Sequence, residues 1–189
     1  MRHVVAVHVS AETPPDSLAA ALLEDVVDLV AGMQQIEAAI VATPVGARAA
    51  RAAAWPDMAL LVSDGGPVGA LHALAAYGAE AAALVVADAP DLPPLLVGKL
   101  FSALTSWPVA ACPASDGTLI SLAATLPPPS WLDDVDTDAP DALARLRAAA
   151  PSRGLHVGSG WHRVRNQADT RRLDPGLEGW EATRAWLAR

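Results

Sequence analysis

Several residue types are scarce in this 189-residue chain, and each scarcity excludes a class of structure or site. The only cysteine, Cys112, cannot form an internal disulfide, and it has no spaced Cys or His partners for a zinc site. A single cysteine fits a reducing compartment. No stretch reaches the roughly 18 uninterrupted apolar residues of a membrane-spanning helix, and the amino-terminal apolar run is too short and interrupted for a signal peptide. We therefore expect a soluble, cytoplasmic protein with no membrane partner.

Positive charge is scarce as well. Lys99 is the only lysine, and 13 basic against 21 acidic residues give a formal net charge of −8. Nucleic acids and anionic membranes bind basic surfaces, so we expect neither as a partner. A small anionic ligand would need a local basic site. The length fits one domain, residues 1–189, built around a single core.

Short apolar runs alternate with amphipathic stretches along the chain. This alternation predicts βαβ units, and therefore an α/β fold: a three-layer α/β/α sandwich around a mostly parallel, Rossmann-like sheet. The run at residues 81–87 is almost entirely apolar, which predicts a central strand buried on both faces. The predicted strands are residues 4–9, 36–42, 58–62, 81–87, 109–112, 118–125 and 155–158; the predicted helices are residues 18–33, 47–54, 67–77, 95–104, 139–149 and 179–188.

The most informative stretch is residues 85–94, where an apolar strand delivers two acidic side chains onto a proline-rich turn. In open α/β sheets, ligands bind beyond the carboxyl ends of the strands. Mg²⁺ and Mn²⁺ take carboxylate oxygens as ligands, and substrate phosphates and water fill their other positions. Asp88 leaves the strand directly and is the predicted metal ligand. Asp91 is predicted to brace the turn or hold a ligand water, or alternatively to cap the following helix, with Pro93 in its first turn.

Three segments resemble the nucleotide-diphospho-sugar transferase (GT-A) fold superfamily, which includes the molybdenum-cofactor and phospholactate guanylyltransferases and small bacterial glycosyltransferase-like proteins. They are a glycine-proline turn at residues 65–71, the strand and turn at residues 85–94, and an Asp-Gly-Thr box within residues 112–122. The resemblance implies a GT-A type sheet, a nucleotide or nucleotide-sugar and a small acceptor as partners, and Mg²⁺ or Mn²⁺ as the cofactor. It implies that Asp88 and Asp116 are catalytic. The ligand-binding residues that it implies are Gly65, Gly66, Asp91, Gly117 and Trp161.

The first loop departs from the family pattern. Relatives place glycines and basic residues there to bind nucleotide phosphates, whereas residues 10–16 contain neither and include two prolines, which lack a backbone donor. We interpret Thr13 to Asp16 as a helix start, with Asp16 or Ser17 as the cap.

The carboxyl-terminal part departs too. In the register of the family's acidic box, Arg163 and Arg165 stand in place of acids. A guanidinium cannot ligate a cation, but it binds phosphate through paired hydrogen bonds, so both arginines are predicted to contact the nucleotide. Residues 134–137 offer a rival register, but they precede a helix. We therefore interpret Thr137, Asp138 and Asp141 as helix-start residues.

Two functional hypotheses follow. One is a metal-dependent nucleotidyl- or glycosyltransferase that acts on a nucleotide-activated substrate. The other is a catalytically degenerate GT-A protein, a pseudoenzyme, that binds a ligand or protein partner without turnover. His3, His8 and His72 are interpreted as structural. The apolar Ala/Leu helix surfaces fit either a homodimer interface or core packing.

Overall fold

Strands and helices alternate through the protein, which the computed structural model describes over residues 1–132 and 135–189. The strands are β1 (His3–Val9), β2 (Glu37–Ala42), β3 (Ala59–Val62), β4 (Ala81–Val86), β5 (Val109–Pro113), β6 (Leu119–Thr125) and β7 (Leu155–Val157). The helices are α1 (Leu18–Ala31), α2 (Ala47–Ala53), α3 (Gly66–Ala76), α4 (Pro94–Ala103), α5 (Ala142–Ala149) and α6 (Glu181–Leu187). Every predicted strand and helix is present, with ends shifted by a few residues.

All seven strands form one sheet, in the order β3-β2-β1-β4-β6-β5-β7. Strands β1 to β4 pair in parallel, and β7 is parallel to β5. Strand β6 runs antiparallel to both of its neighbours, β4 and β5. The prediction of a mostly parallel α/β sheet is therefore confirmed.

Helices cover both faces of the sheet. One apolar cluster joins β1, β2 and β4 to α1, α2 and α4, and a second joins the opposite face to α3 and α5. All six residues of β4 are buried, and its successive side chains Leu84 and Val85 enter opposite clusters. This explains why the strand is apolar at every position, since neither of its faces meets water.

The last helix, α6, packs against the first helix, α1. Ser17 caps α1, because its side-chain oxygen accepts a hydrogen bond from the Ala20 N–H at 3.1 Å. Further along the same helix, the buried Asp25 carboxylate accepts hydrogen bonds from the N–H groups of Ala182 and Thr183, both at 2.8 Å. N–H groups at the start of a helix have no partner within the helix, and here Asp25 supplies that partner. Asp25 therefore fixes α6 to α1.

The strand order places a topological switch point between β1 and β4. From β1 the chain proceeds to β2 on one side, whereas β4 lies on the other. Ligands of open α/β sheets bind in the crevice beyond the carboxyl ends of strands at such a point. In the described part of the chain, no helix is both long and apolar enough to cross a membrane.

Candidate functional site

A cleft of about 730 Å³ opens at the switch point, beyond the carboxyl ends of β1 and β4. Its volume is in the range of small-molecule sites. The loop between β1 and α1 and the segment 163–167, which follows β7, both line the cleft. Asp88, Thr137, Asp138 and Trp186 of α6 line it as well.

Asp88 is paired with Arg163. The guanidinium donates from Nε to Oδ1 of Asp88 at 2.7 Å and from Nη2 to Oδ2 at 2.9 Å. The main chain follows the same alignment, because the N–H of Val164 donates to the Asp88 carbonyl at 2.8 Å. Side-chain exposure is only 7% for Arg163 and 22% for Asp88. This is a largely buried, two-point ion pair, the strongest common form of such a contact.

Arg163 also reaches a second carboxylate. Its Nη1 lies 2.7 Å from Oδ1 of Asp138, and the same nitrogen donates to the Leu119 carbonyl at 3.4 Å. The hydroxyl of Thr118 lies 3.5 Å from Nη1. The guanidinium therefore contacts two carboxylates, one backbone carbonyl and one hydroxyl, and all of these contacts are to oxygen atoms.

Burial and ion pairing have opposite effects on the pKa values of Asp88 and Arg163. Burial raises the pKa of Asp88, and the hydrogen bonds and charge of Arg163 oppose that rise. Burial alone would lower the pKa of Arg163, but the contacts with Asp88 and Asp138 outweigh it and raise the pKa above its ordinary value. We treat the pair as ionised, because a guanidinium keeps its proton in proteins and both carboxylate oxygens accept from it.

Arg165 is the more exposed cation of the cleft. Its side chain is 39% exposed, and its guanidinium lies 3.3 Å from Asp138 and 3.7 Å from Asp116. Oδ1 of Asp116 accepts hydrogen bonds from the hydroxyl and N–H of Thr118, at 2.6 and 3.1 Å. Burial alone would raise the pKa of Asp116. The hydrogen bonds with Thr118 and the charges of Arg165 and Arg163 outweigh burial and lower this pKa. Arg165 is therefore the guanidinium with the looser contacts.

These residues do not fit a bound Mg²⁺ or Mn²⁺ ion in this arrangement. A divalent ion needs free carboxylate oxygens, and both oxygens of Asp88 accept from Arg163. Asp138 is engaged by the same guanidinium. Within residues 1–132 and 135–189, no group of three or more His, Cys, Asp or Glu side chains is placed to hold a metal ion.

Asp91 holds the carboxyl-terminal segment in place. The carboxylate is buried, and it accepts hydrogen bonds from Nε1 of Trp161 and the N–H of Asp174, both at 3.1 Å. Nε2 of His162 lies 3.0 Å from the same carboxylate. The capping prediction for Asp91 is wrong, because Pro93 stands at the N-cap of α4 with no side-chain capping bond. The carboxylate therefore joins the turn after β4 to residues 161–174.

The remaining predicted site residues lie outside the main cleft. Gly65 and Gly66 begin α3 behind the edge strand β3. Gly117 has φ +88°, and a Cβ at this position would lie 2.1 Å from the Pro140 carbonyl oxygen, so a close backbone approach accounts for the glycine. Trp161 lines a shallow groove beside residues 113–115. A ligand-binding role for these four residues stays a prediction.

The helix-start interpretation of the acidic segment is only partly right. Helix α5 begins at Ala142 with Asp141 at the N-cap, which agrees for Asp141. For Thr137 and Asp138 it is wrong, because both line the cleft instead. The rival register begins at Asp134, which lies outside the described residues.

Sequence reasoning missed the environment of two buried polar residues. One is Asp25, whose carboxylate accepts hydrogen bonds from the first N–H groups of α6. His8, near the end of β1, lines the cleft and is 8% exposed, and its Nε2 has no hydrogen-bond partner among the described residues. Burial lowers the pKa of His8, and the charges of Asp138 and Asp136 oppose this. Its place at a carboxyl strand end was the signal that could have identified it as a cleft residue.

No protein-family model matches the sequence, and no curated protein is similar enough to match it. Solved structures do match. A protein assigned to the nucleotide-diphospho-sugar transferases, from Desulfovibrio desulfuricans G20, superposes with a TM-score of 0.71 at 18% identity, over 100% of this chain and 95% of that one.

Two further structures carry ligands. CMP:2-keto-3-deoxy-manno-octonic acid synthetase complexed with CTP has a TM-score of 0.63 at 11% identity, over 90% of this chain and 96% of that one. Rv0371C complexed with manganese, from Mycobacterium tuberculosis H37Rv, has a TM-score of 0.59 at 18% identity, over 94% of this chain and 100% of that one. The chain therefore has the nucleotide-diphospho-sugar transferase (GT-A) fold that its three sequence segments predicted.

Proposed function

We propose that this protein binds a nucleoside or nucleotide in the switch-point cleft and does not carry out metal-dependent transfer. The observation that carries the proposal is the two-point ion pair between Asp88 and Arg163, which engages the carboxylate predicted to bind the metal. The cleft stays open beside that pair. Its position is where ligands bind in open α/β sheets, and a structure of the same fold holds CTP.

The charges of the cleft restrict the ligand. Glu12, Asp88 and Asp138 oppose Arg163 and Arg165, so these lining residues leave one negative charge in excess. Two like charges about 4 Å apart repel by roughly 4 kcal/mol at an effective dielectric near 20, which disfavours a triphosphate without its cation. We therefore propose a nucleoside or nucleoside monophosphate, with Arg165 as the group that contacts the single phosphate.

Calorimetric titration tests this proposal. The four nucleosides, their 5′-monophosphates, CTP, GTP and UDP-glucose would be titrated into the protein in EDTA and again in Mn²⁺. We expect binding of a nucleoside or monophosphate that is equal in both buffers. Arg165→Gln should weaken a monophosphate about tenfold or more, since a charge-assisted hydrogen bond contributes about 1.5–3 kcal/mol, and should leave the nucleoside unchanged. Arg147→Gln, at an exposed site on α5, is the matched control.

A metal-dependent nucleotidyl- or glycosyltransferase is the second candidate. The position of Asp88 directly beyond β4 favours it, and a structure of the same fold contains manganese. Nucleotide heat or turnover that requires Mn²⁺ and disappears in Asp88→Ala would establish this candidate and refute the first. Absence of binding by every compound in both buffers would refute both.

A further inference from the structure

Arg163 occupies the centre of a set of oxygen atoms. Two oxygens come from Asp88 and one from Asp138, within 2.7 to 2.9 Å of the guanidinium nitrogens. The Leu119 carbonyl and the Thr118 hydroxyl follow at 3.4 and 3.5 Å. Carboxylate, carbonyl and hydroxyl oxygens around one positive centre are the donor set that a hard divalent cation takes in proteins.

The negative charges around Arg163 also resemble those around a bound divalent cation. Asp88, which is 22% exposed, and Asp138, which is 45% exposed, bring two negative charges to the same guanidinium, and a cation between them offsets their mutual repulsion. Arg163 supplies that cation from the chain itself. Because its side chain is only 7% exposed and contacts both acids, it is held in one place.

We infer that Arg163 is a built-in substitute for a divalent cation, and that removing its guanidinium opens a Mg²⁺ or Mn²⁺ site between Asp88 and Asp138. This goes beyond the proposed function, because it concerns how the carboxylates are neutralised and involves no nucleotide. Unlike a metal ion, a guanidinium cannot dissociate and offers no open coordination position to a substrate oxygen. The cleft therefore has a fixed positive charge where a metal centre would have an exchangeable one.

The test is Mn²⁺ binding by Arg163→Ala, measured by calorimetry and by thermal melting in EDTA and in Mn²⁺. We expect the unsubstituted protein to melt at the same temperature in both buffers. The variant should bind one Mn²⁺ at least tenfold more tightly than the unsubstituted protein and should melt at a higher temperature in Mn²⁺ than in EDTA.

Two controls isolate the site. Arg165→Ala removes the neighbouring, more exposed guanidinium while Asp88 keeps its partner, so it should gain no Mn²⁺ binding. Adding Asp88→Asn to Arg163→Ala removes a ligand, and the gained binding should then disappear. Equal Mn²⁺ gains in Arg163→Ala and Arg165→Ala would overturn the inference, because they would report only a general change in charge.

An unfolded variant is also informative. If Arg163→Ala is unfolded in EDTA, recovery of its circular dichroism spectrum at one equivalent of bound Mn²⁺ supports the inference. A variant that stays unfolded in millimolar Mn²⁺, or that folds and binds Mn²⁺ no better than the unsubstituted protein, overturns it. No nucleotide enters the assay, so this result and the nucleotide titration can fail separately.

Discussion

Replacing Arg163 by Met should strongly destabilise the protein. Met keeps much of the side-chain volume but leaves Asp88 and Asp138 without their common cation. Removing one partner of a buried ion pair costs about 3–5 kcal/mol, because the remaining charge is left unpaired. For a chain of this size about 2–4 °C of melting temperature is lost per kcal/mol, so we expect a decrease of roughly 6–20 °C.

The loss should depend on pH. Burial raises the pKa of Asp88, and the hydrogen bonds and charge of Arg163 oppose this rise more than the charge of Arg165 does. In Arg163→Met, the folded protein would therefore hold a proton on Asp88 at pH values where the unfolded chain has lost it. A raised folded-state pKa means that stability falls as pH rises through it. The difference between the variant and the unsubstituted protein should be smallest near pH 4 and should grow toward pH 7.

Urea unfolding in EDTA, followed by circular dichroism at several pH values, measures both effects. Arg165→Met is the matched control, because partly exposed pairs such as its contacts with Asp116 and Asp138 contribute about 0–1 kcal/mol. A loss below about 1 kcal/mol for Arg163→Met, or equal losses in the two variants, would refute the assignment of Arg163 as the central counter-ion.

Three further substitutions have defined outcomes in the same unfolding assay. Asp25→Ala leaves two N–H groups of α6 without an acceptor and should cost about 2 kcal/mol or more, whereas the exposed Glu24→Ala should have little effect; equal losses would contradict the capping role. Gly117→Ala places Cβ against a carbonyl and should cost about 3 kcal/mol, against about 1 kcal/mol for Gly66→Ala, which has positive φ but open space; the reverse order would exclude crowding as the cause. His8→Leu removes a buried imidazole whose Nε2 has no hydrogen-bond partner among residues 1–132 and 135–189 and whose pKa is lowered by burial, so the unfolded chain takes up its proton first as pH falls below about 6.5; the variant should lose less stability than the unsubstituted protein between pH 7 and 5, and parallel curves would argue against the lowered pKa.

The fold was predictable because its signals are local. The buried strand β4 shows its burial in its own composition, and the alternation of strands with amphipathic helices indicates a parallel sheet without knowledge of any distant contact. Asp25 was missed although it lies beside Val26, within the apolar face of α1. A charged residue on such a face predicts a buried partner, and that signal was available.

The chemistry of the site was less predictable. Sequence reasoning placed Asp88 beyond a strand end, and the register of Arg163 suggested that acids had been exchanged for bases. Whether the guanidinium would bind a ligand or Asp88 depends on the path of the chain after β7, which no spacing in the sequence specifies. Asp138 was assigned to the start of a helix that actually begins at Ala142, so its contact with Arg163 was not foreseen.

The ion pair also has a consequence for synthesis of the chain. Asp88 precedes its partner Arg163 by 75 residues, and Asp91 precedes Trp161 by 70. A ribosome adds about 5–20 residues per second, so for several seconds the nascent chain holds these acids without their partners. During that interval they must stay hydrated or be neutralised by ions from solution. The wall of the cleft that residues 163–167 provide can therefore form only after these residues have left the ribosome.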